Sequence, residues 1–198
     1  MKEYIANLNM RLHKMFGIDL GITVSSISCI TIKNQIIDYC IFFGNTSEKD
    51  HWTRCTQMSE ALVDGIVGIV RGNPKILIEP LVAIEEPVFP FRTRNPQSYF
   101  NMCCLYALTR NKLHNRGFTI YSIHPLSAKA IAKKLVYERK RLKEEYMKRG
   151  SLTKKGMVKA FSKLIGKPPS YHTVVGRETL ADSFFIAKAG IEKRKMEL

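Results

Sequence analysis

Short runs of apolar and β-branched residues, separated by turn residues, make up the first part of the chain. The runs cover 16–19, 24–33 and 36–43, and Gly21 and Asn34 stand between them. This pattern predicts strands joined by tight turns, which pair as antiparallel neighbours. We therefore expect the chain to begin with a three-stranded antiparallel meander.

The apolar spacing then changes to that of helices. Within 53–70, Met58, Leu62 and Ile66 recur every four residues, and this spacing predicts a helix with one apolar face. Further helices are expected over 96–115, from 127 onwards with breaks near 150 and 166–169, and from 176 to the end, and further strands over 81–85 and 118–123. This order predicts a single α/β domain over 1–198, whose mixed five-stranded sheet combines antiparallel and parallel strands and is flanked by helices.

Pro80 divides the middle of the chain into two apolar runs, 76–78 and 81–84. Proline is excluded from central strands because it lacks a backbone N–H, so only one run can form a core strand. We prefer the second run, which ends in Glu85. Glu79, which ends the first run, stays open as the alternative acid.

The chain is strongly basic. Lys and Arg total 32 and Asp and Glu total 17, which gives a net charge of +15 at pH 7. Such a surplus favours a nucleic acid as partner, because bound cationic side chains release counterions from phosphates.

The five cysteines are odd in number and lack Cys-x-x-Cys spacing, which favours reduced thiols in a cytosolic compartment. No apolar run reaches the ~18 residues of a membrane helix, and 1–14 lacks a secretory apolar region, so we expect no membrane partner.

The basic charge is concentrated in one segment. Residues 129–155 contain eleven Lys or Arg against three Glu. Pairing at i,i+4 does not neutralise such a surplus, so a helical insertion at about 130–153 is predicted to contact the phosphate backbone. The candidate contacts are Lys133, Lys134, Arg139, Lys140 and Arg141, together with Arg92 and Arg94 in the loop after Glu85.

Four acids occupy positions that suit a metal site. Asp19 and Glu85 each end a predicted strand, and an acid between buried residues needs a polar site or a partner. Glu178 and Asp182 lie at i,i+4 and hence on one face of the last helix. Two-metal phosphodiesterases need three or four carboxylates that converge from different elements. We therefore expect these four side chains to meet.

Three of these acids lie in short motifs. The motifs are Phe-Gly-Ile-Asp-Leu-Gly at 16–21, Ala-Ile-Glu-Glu-Pro-Val-Phe at 83–89 and Leu-Ala-Asp-Ser-Phe-Phe-Ile-Ala at 180–187. In order and spacing they resemble the motifs of RuvC-type Holliday junction resolvases, including the poxvirus and phage branches, within the ribonuclease-H-like superfamily. The resemblance implies that Asp19, Glu85 and Asp182 ligate Mg²⁺ or Mn²⁺, with two ions in each site.

The resemblance also implies roles for residues outside the motifs. Lys129 and Lys155 match basic residues that the family holds near the scissile phosphate. The family's other helix acid stands three residues before the last Asp, which is Thr179 here. Glu178 therefore takes the fourth ligand position one residue out of register.

The function implied is that of a structure-selective endonuclease that resolves four-way DNA junctions as a homodimer. Helix 97–115 is the candidate dimer face, and Phe89 or Phe91 matches an aromatic residue that stacks at the junction centre. Two alternatives stay open. One is a ribonuclease-H-like nuclease acting on other branched DNA or on RNA, and the other is a catalytically inactive nucleic-acid-binding module. Location in a DNA-containing compartment and a viral or phage origin also follow from the resemblance.

Overall fold

The structure is a computed structural model. It describes residues 14–33, 35–73, 81–88, 96–137, 147–148, 151–165 and 174–197. Glu79 and the predicted breaks at 150 and 166–169 lie outside these residues.

A five-stranded mixed sheet forms the centre of the fold, in the order β3-β2-β1-β4-β5. The first three strands pair antiparallel, whereas β4 pairs parallel with both β1 and β5. The ribonuclease-H-like sheet predicted from the sequence is thereby confirmed. The strands are β1 (Lys14–Asp19), β2 (Val24–Thr31), β3 (Ile36–Phe43), β4 (Leu81–Glu85) and β5 (Thr119–Ile123).

Two layers of helices cover the two faces of this sheet. The first face carries α1 (His51–Gly72) and α2 (Pro96–His114). The second face carries α3 (Pro125–Tyr137), α4 (Lys154–Ile165) and α5 (Val174–Glu197). Because side chains alternate along a strand, the central strands are apolar on both faces and contribute to two separate cores.

Alternation along β1 shows how the two cores are divided. Phe16 and Ile18 pack with the α1 and α2 residues, whereas Met15 packs on the side of α5. Gly17 lies on this same second face, and an added Cβ would collide with the Ser183 carbonyl and with Ala187. The absence of a side chain at residue 17 therefore lets α5 lie directly on the central strand.

The basic segment between α3 and α4 differs from the predicted helical insertion. It contains two short strands, β6 (Met147–Lys148) and β7 (Ser151–Leu152), which pair antiparallel. Leu152 is buried in the core, and β7 lies against α3 and α4. The extended backbone of β7 brings this apolar side chain inward just before α4 begins. The prediction of helix up to the break near residue 150 is therefore wrong at 147–148.

The described cysteines are all free thiols, with Cys29 and Cys55 buried in the core. None of the described helices combines the length and apolar character needed to cross a membrane.

Candidate active site

Asp19 and Glu85 end two neighbouring parallel strands. The residues before them, Ile18 and Ile84, are paired in the β1–β4 register, so the two acids stand side by side at the carboxyl edge of the sheet. Gly17, two residues before Asp19, contacts α5, and alternation places Asp19 on the same face. The sheet therefore presents both carboxylates to the helix that carries Asp182.

The turn after Asp19 is held by a reciprocal pair of hydrogen bonds. The Gly21 N–H donates to Ser25 Oγ at 2.9 Å, and the Ser25 hydroxyl donates to the Gly21 carbonyl at 2.7 Å. Ser25 is buried, so these bonds are shielded from water. They fix the chain direction immediately after the acid.

A buried hydrogen bond fixes the height of α5 above the sheet. The Ser26 hydroxyl donates to the Thr179 carbonyl at 2.8 Å. Ser26 lies opposite Asp19 in the β1–β2 register, and Thr179 is three residues before Asp182. This hydrogen bond therefore links the strand residue opposite Asp19 to the helical turn that precedes Asp182.

These elements enclose a cavity of about 380 Å³ at the edge of the sheet. Asp19, Glu85 and Asp182 line it together with Lys129 from α3 and Lys154 from α4. Three negative and two positive side chains thus share one space, and each comes from a different element of the fold. The structure brings together Asp19, Glu85, Asp182 and Lys129, four of the residues selected from the sequence.

Burial and mutual repulsion raise the pKa values of all three acids. Burial raises the pKa of Asp19 well above its usual range, and the charges of Asp182 and Glu85 raise it further, while Lys154 lowers it. Burial and Asp182 raise the pKa of Glu85 to about 7, against the opposing effect of Lys129 and Lys154. Burial therefore favours the protonated forms of these carboxyl groups, and a bound cation would favour the charged forms.

Asp182 is influenced by the same charges. Burial raises its pKa to about 6, Lys154 and Lys129 lower it, and Glu178 raises it. Perturbed carboxylates in a cleft are typical of functional sites, because burial of like charges is otherwise unfavourable. The electrostatics thus single out the same side chains as the geometry.

Lys154, which the sequence analysis did not select, lies at the acids, whereas the predicted Lys155 does not line their cavity. Lys154 Nζ lies 3.7 Å from Glu178 Oε2. Lys155 lines a neighbouring cavity on the outer side of α4. The helical spacing of α4 could have identified Lys154 from the sequence. Lys154 stands three residues before the buried Met157 and so lies on the same face of the helix.

The predicted fourth ligand, Glu178, lies beside the acid cavity and not on its wall. Thr179 lines that cavity, whereas Glu178 lines the neighbouring one and pairs with Lys154. Its charge still reaches Asp182, whose pKa it raises. A metal-ligand role for Glu178 stays a prediction.

The predicted nucleic-acid contacts are only partly visible. Lys133 and Lys134 are exposed on α3, the helix that also carries Lys129. The remaining candidates, Phe89, Phe91, Arg92, Arg94, Arg139, Lys140 and Arg141, lie outside the described residues.

The donor set of the cavity fits a hard divalent cation. Carboxylate oxygens are the ligands that Mg²⁺ and Mn²⁺ prefer, and neither His nor Cys lines the cavity among the residues that the structure describes. No three Asp, Glu, His or Cys side chains of the described ranges stand together as a ready-made metal cluster.

Comparison with solved structures identifies the fold. The chain is similar to RuvC of Thermus thermophilus, with 16% identity and a TM-score of 0.60 over 92% of this chain and 96% of that one. A second structure, T. thermophilus RuvC in complex with Holliday junction substrate, has 14% identity, the same TM-score of 0.60 and the same coverage of 92% and 96%. The yeast mitochondrial Holliday junction resolvase Ydc2 has 13% identity and a TM-score of 0.55 over 98% of this chain and 86% of that one.

The fold class is therefore ribonuclease-H-like. Within that class, the arrangement of strands and helices is the RuvC-like one. No protein-family model and no curated protein matches the sequence.

Proposed function

We propose that the protein is a divalent-metal-dependent endonuclease that hydrolyses phosphodiester bonds in branched DNA, with four-way junctions as its substrate. The observation that carries the proposal is the meeting of Asp19, Glu85 and Asp182 with Lys129 and Lys154 in one cavity. Carboxylates suit metal-assisted phosphodiester hydrolysis, and lysines suit a reacting group that gains negative charge.

Asp19, Glu85 and Asp182 would hold two Mg²⁺ or Mn²⁺ ions, with Glu178 as the candidate fourth ligand. When bound, such ions acidify a water molecule and stabilise the charge of the leaving oxygen. The raised pKa values of the three acids support this assignment, because a cation favours their charged forms. In the free protein Lys129 and Lys154 supply part of the missing positive charge.

Lys129 and Lys154 act on the phosphate in this proposal. Lys129 belongs to α3 and Lys154 to α4, so a phosphodiester bound over the acids would have one ammonium group from each helix beside it. Each ammonium neutralises the charge that develops on the phosphoryl oxygens as water attacks. The lysines also keep Glu85 and Asp182 closer to their charged, metal-binding forms.

The substrate and assembly state rest on symmetry and charge. A four-way junction has two strands to cut in a two-fold arrangement, which suits a homodimer with paired sites. The outer face of α2 carries Phe100, which is 60% exposed, and this supports α2 as the dimer contact. The net charge of +15 supports a nucleic acid as partner. Assignment to the poxvirus and phage branches rests on the sequence motifs alone.

The test compares labelled four-way junction, flap and DNA–RNA hybrid substrates with purified protein in Mg²⁺. Wild-type protein is expected to cut the junction at paired positions, and Asp19→Asn to bind it without cutting. Asp64→Asn, an exposed acid on α1, is the matched control and should cut normally.

Two outcomes favour the alternatives. Binding without cutting by the wild-type protein in Mg²⁺ and Mn²⁺ indicates a nucleic-acid-binding module. Preferential cutting of the flap or hybrid indicates a nuclease with a different substrate.

A further inference from the structure

A second cavity lies beside the acids, between α4 and the beginning of α5. Its volume is about 570 Å³, and Lys155, Lys159 and Arg177 line it together with Val158, Val174 and Glu178. Glu178 connects it to the acid cavity, because the Glu178 carboxylate lies 3.7 Å from Lys154 Nζ and Lys154 lines the acid cavity. We name this second cavity the α4–α5 groove.

The cationic side chains of the groove come from both of its helices. Lys155 and Lys159 are one helical turn apart on the exposed side of α4, and Arg177 is exposed on the facing end of α5. Among the described residues, neither Lys159 nor Arg177 has an ion-pair partner. Glu178, the single acid that the described residues contribute to the wall, is already paired with Lys154. The groove therefore presents a surplus of positive charge to solvent.

The positions of these cations do not serve helix stability. Lys155 is the second residue of α4 and Arg177 the fourth of α5, and neither helix has an acid in its first turn. A cation at a helix N-terminus opposes the helix dipole, which favours negative charge there. Both helix ends and their basic side chains therefore favour an anion in the space between them.

The dimensions of the groove suit a chain of phosphates. Four residues of α-helix rise about 6 Å, and successive phosphates of one DNA strand are spaced roughly 3.4 Å along the duplex axis. Lys155 and Lys159 are therefore far enough apart to contact different phosphates of one strand. Val158 and Val174 add apolar surface beside these charges.

We infer that the α4–α5 groove binds the sugar–phosphate backbone of the strand that runs past the acid cavity, through Lys155, Lys159 and Arg177. This inference rests on the proposed function, since it names where the DNA flanking the cut is held. The contacts go to phosphates alone, so they position the strand and read no base sequence.

The experiment measures binding of a labelled four-way junction in EDTA, so that no strand is cut, over a series of salt concentrations. Lys159→Gln/Arg177→Gln is compared with wild type and with Arg71→Gln/Lys195→Gln, which removes the same charge at two exposed positions far from the groove. The groove variant is expected to bind roughly tenfold more weakly at 0.1 M salt. Its slope of log affinity against log salt should fall by about 2, because two phosphate contacts are lost.

The remote double variant should leave the affinity and the salt slope nearly unchanged. Lys159→Arg, with Arg177 unaltered, keeps both positive charges and should bind like wild type. Thermal unfolding checks that each variant is folded. A wild-type salt slope in the groove variant, or an equal loss in the remote pair, overturns the inference.

Failure of the proposed function is seen separately, as absence of cutting by the wild-type protein in Mg²⁺. Cutting by wild type combined with an unchanged salt slope in the groove variant rejects the groove alone.

Discussion

The Ser26 hydroxyl donates a buried 2.8 Å hydrogen bond to the Thr179 carbonyl, and this bond joins the strand beside Asp19 to the helix that carries Asp182. Both residues are buried. The relative position of two acids that are far apart in sequence therefore depends on a contact that involves neither of them.

Ser26→Ala removes this bond and should lower the free energy of unfolding by about 1–2 kcal/mol, the usual cost of a lost buried hydrogen bond. Urea unfolding followed by circular dichroism measures it. Ser47→Ala is the control, because its hydroxyl bonds Asn45 at the exposed surface, and we expect less than about 0.5 kcal/mol there. Equal losses in the two variants would contradict a special role for Ser26.

Glu85 should make stability depend on pH when divalent cations are absent. Its pKa is about 7 in the folded protein, whereas the ordinary value for a glutamate in an unfolded chain is 4.5. Between these values the folded state binds more protons than the unfolded state, so the free energy of unfolding falls as pH rises. The stabilising effect is complete below about pH 4.5 and is lost as pH rises through 7.

Glu85→Gln carries no titrating group at this position. Relative to wild type, the variant should gain stability between pH 4.5 and 7, by up to about 3 kcal/mol. Urea unfolding in EDTA at a series of pH values measures the difference. Gln57→Ala, at an exposed and uncharged position on α1, is the control and should show a constant difference. A constant difference for Glu85→Gln as well would exclude the raised pKa.

Mg²⁺ should stabilise the folded protein through the same carboxylates. At a hundredfold excess over the dissociation constant, a ligand adds about 2.7 kcal/mol, which corresponds to a rise in Tm of roughly 5–10 °C for a domain of this size. The rise should be larger at pH 8 than at pH 5, because protons compete with the cation for the acids. Differential scanning calorimetry with and without Mg²⁺ measures it.

Asp19→Asn/Asp182→Asn should abolish this thermal shift, and Asp64→Asn should keep it. A full shift in the double variant would place the cation elsewhere.

Lys154→Gln should slow the chemical step. If Lys154 neutralises charge at the phosphate, its loss lowers the single-turnover cleavage rate by about 100-fold at saturating protein. Lys163→Gln, on the last turn of the same helix, is the control and should cut at nearly the wild-type rate. A Lys154→Gln rate within about threefold of wild type would remove Lys154 from the reaction.

Much of the sheet and part of the site were predictable from local pattern. The apolar and β-branched runs at the start of the chain, together with Pro80 as a strand breaker, correctly predicted the meander and the choice of 81–85 as a core strand. The positions of Asp19 and Glu85 at strand ends then made them candidates for one site. These features depend on a few neighbouring residues, which is why the sequence alone reveals them.

The side chains that the sequence analysis did not place depend on tertiary packing. Lys154 and Lys155 are adjacent, and only the packing of Met157 and Phe161 decides which lysine faces the acids. Likewise, the rotation of α5 against β1 places Thr179 on the cavity wall and Glu178 beside it. The β6–β7 pair was missed because its position depends on the burial of Leu152 among core residues of several elements.

The position of α5 on β1 has a consequence for biosynthesis. Asp19 lies on the first described strand and Asp182 on the last described helix, so a nascent chain holds only part of the acid set until α5 has left the ribosome. Folding of this half must also wait, because α5 packs directly on Met15 and Ala83 on this face of the sheet. A chain truncated before α5 therefore lacks Asp182 and exposes apolar surface of the sheet, which favours aggregation.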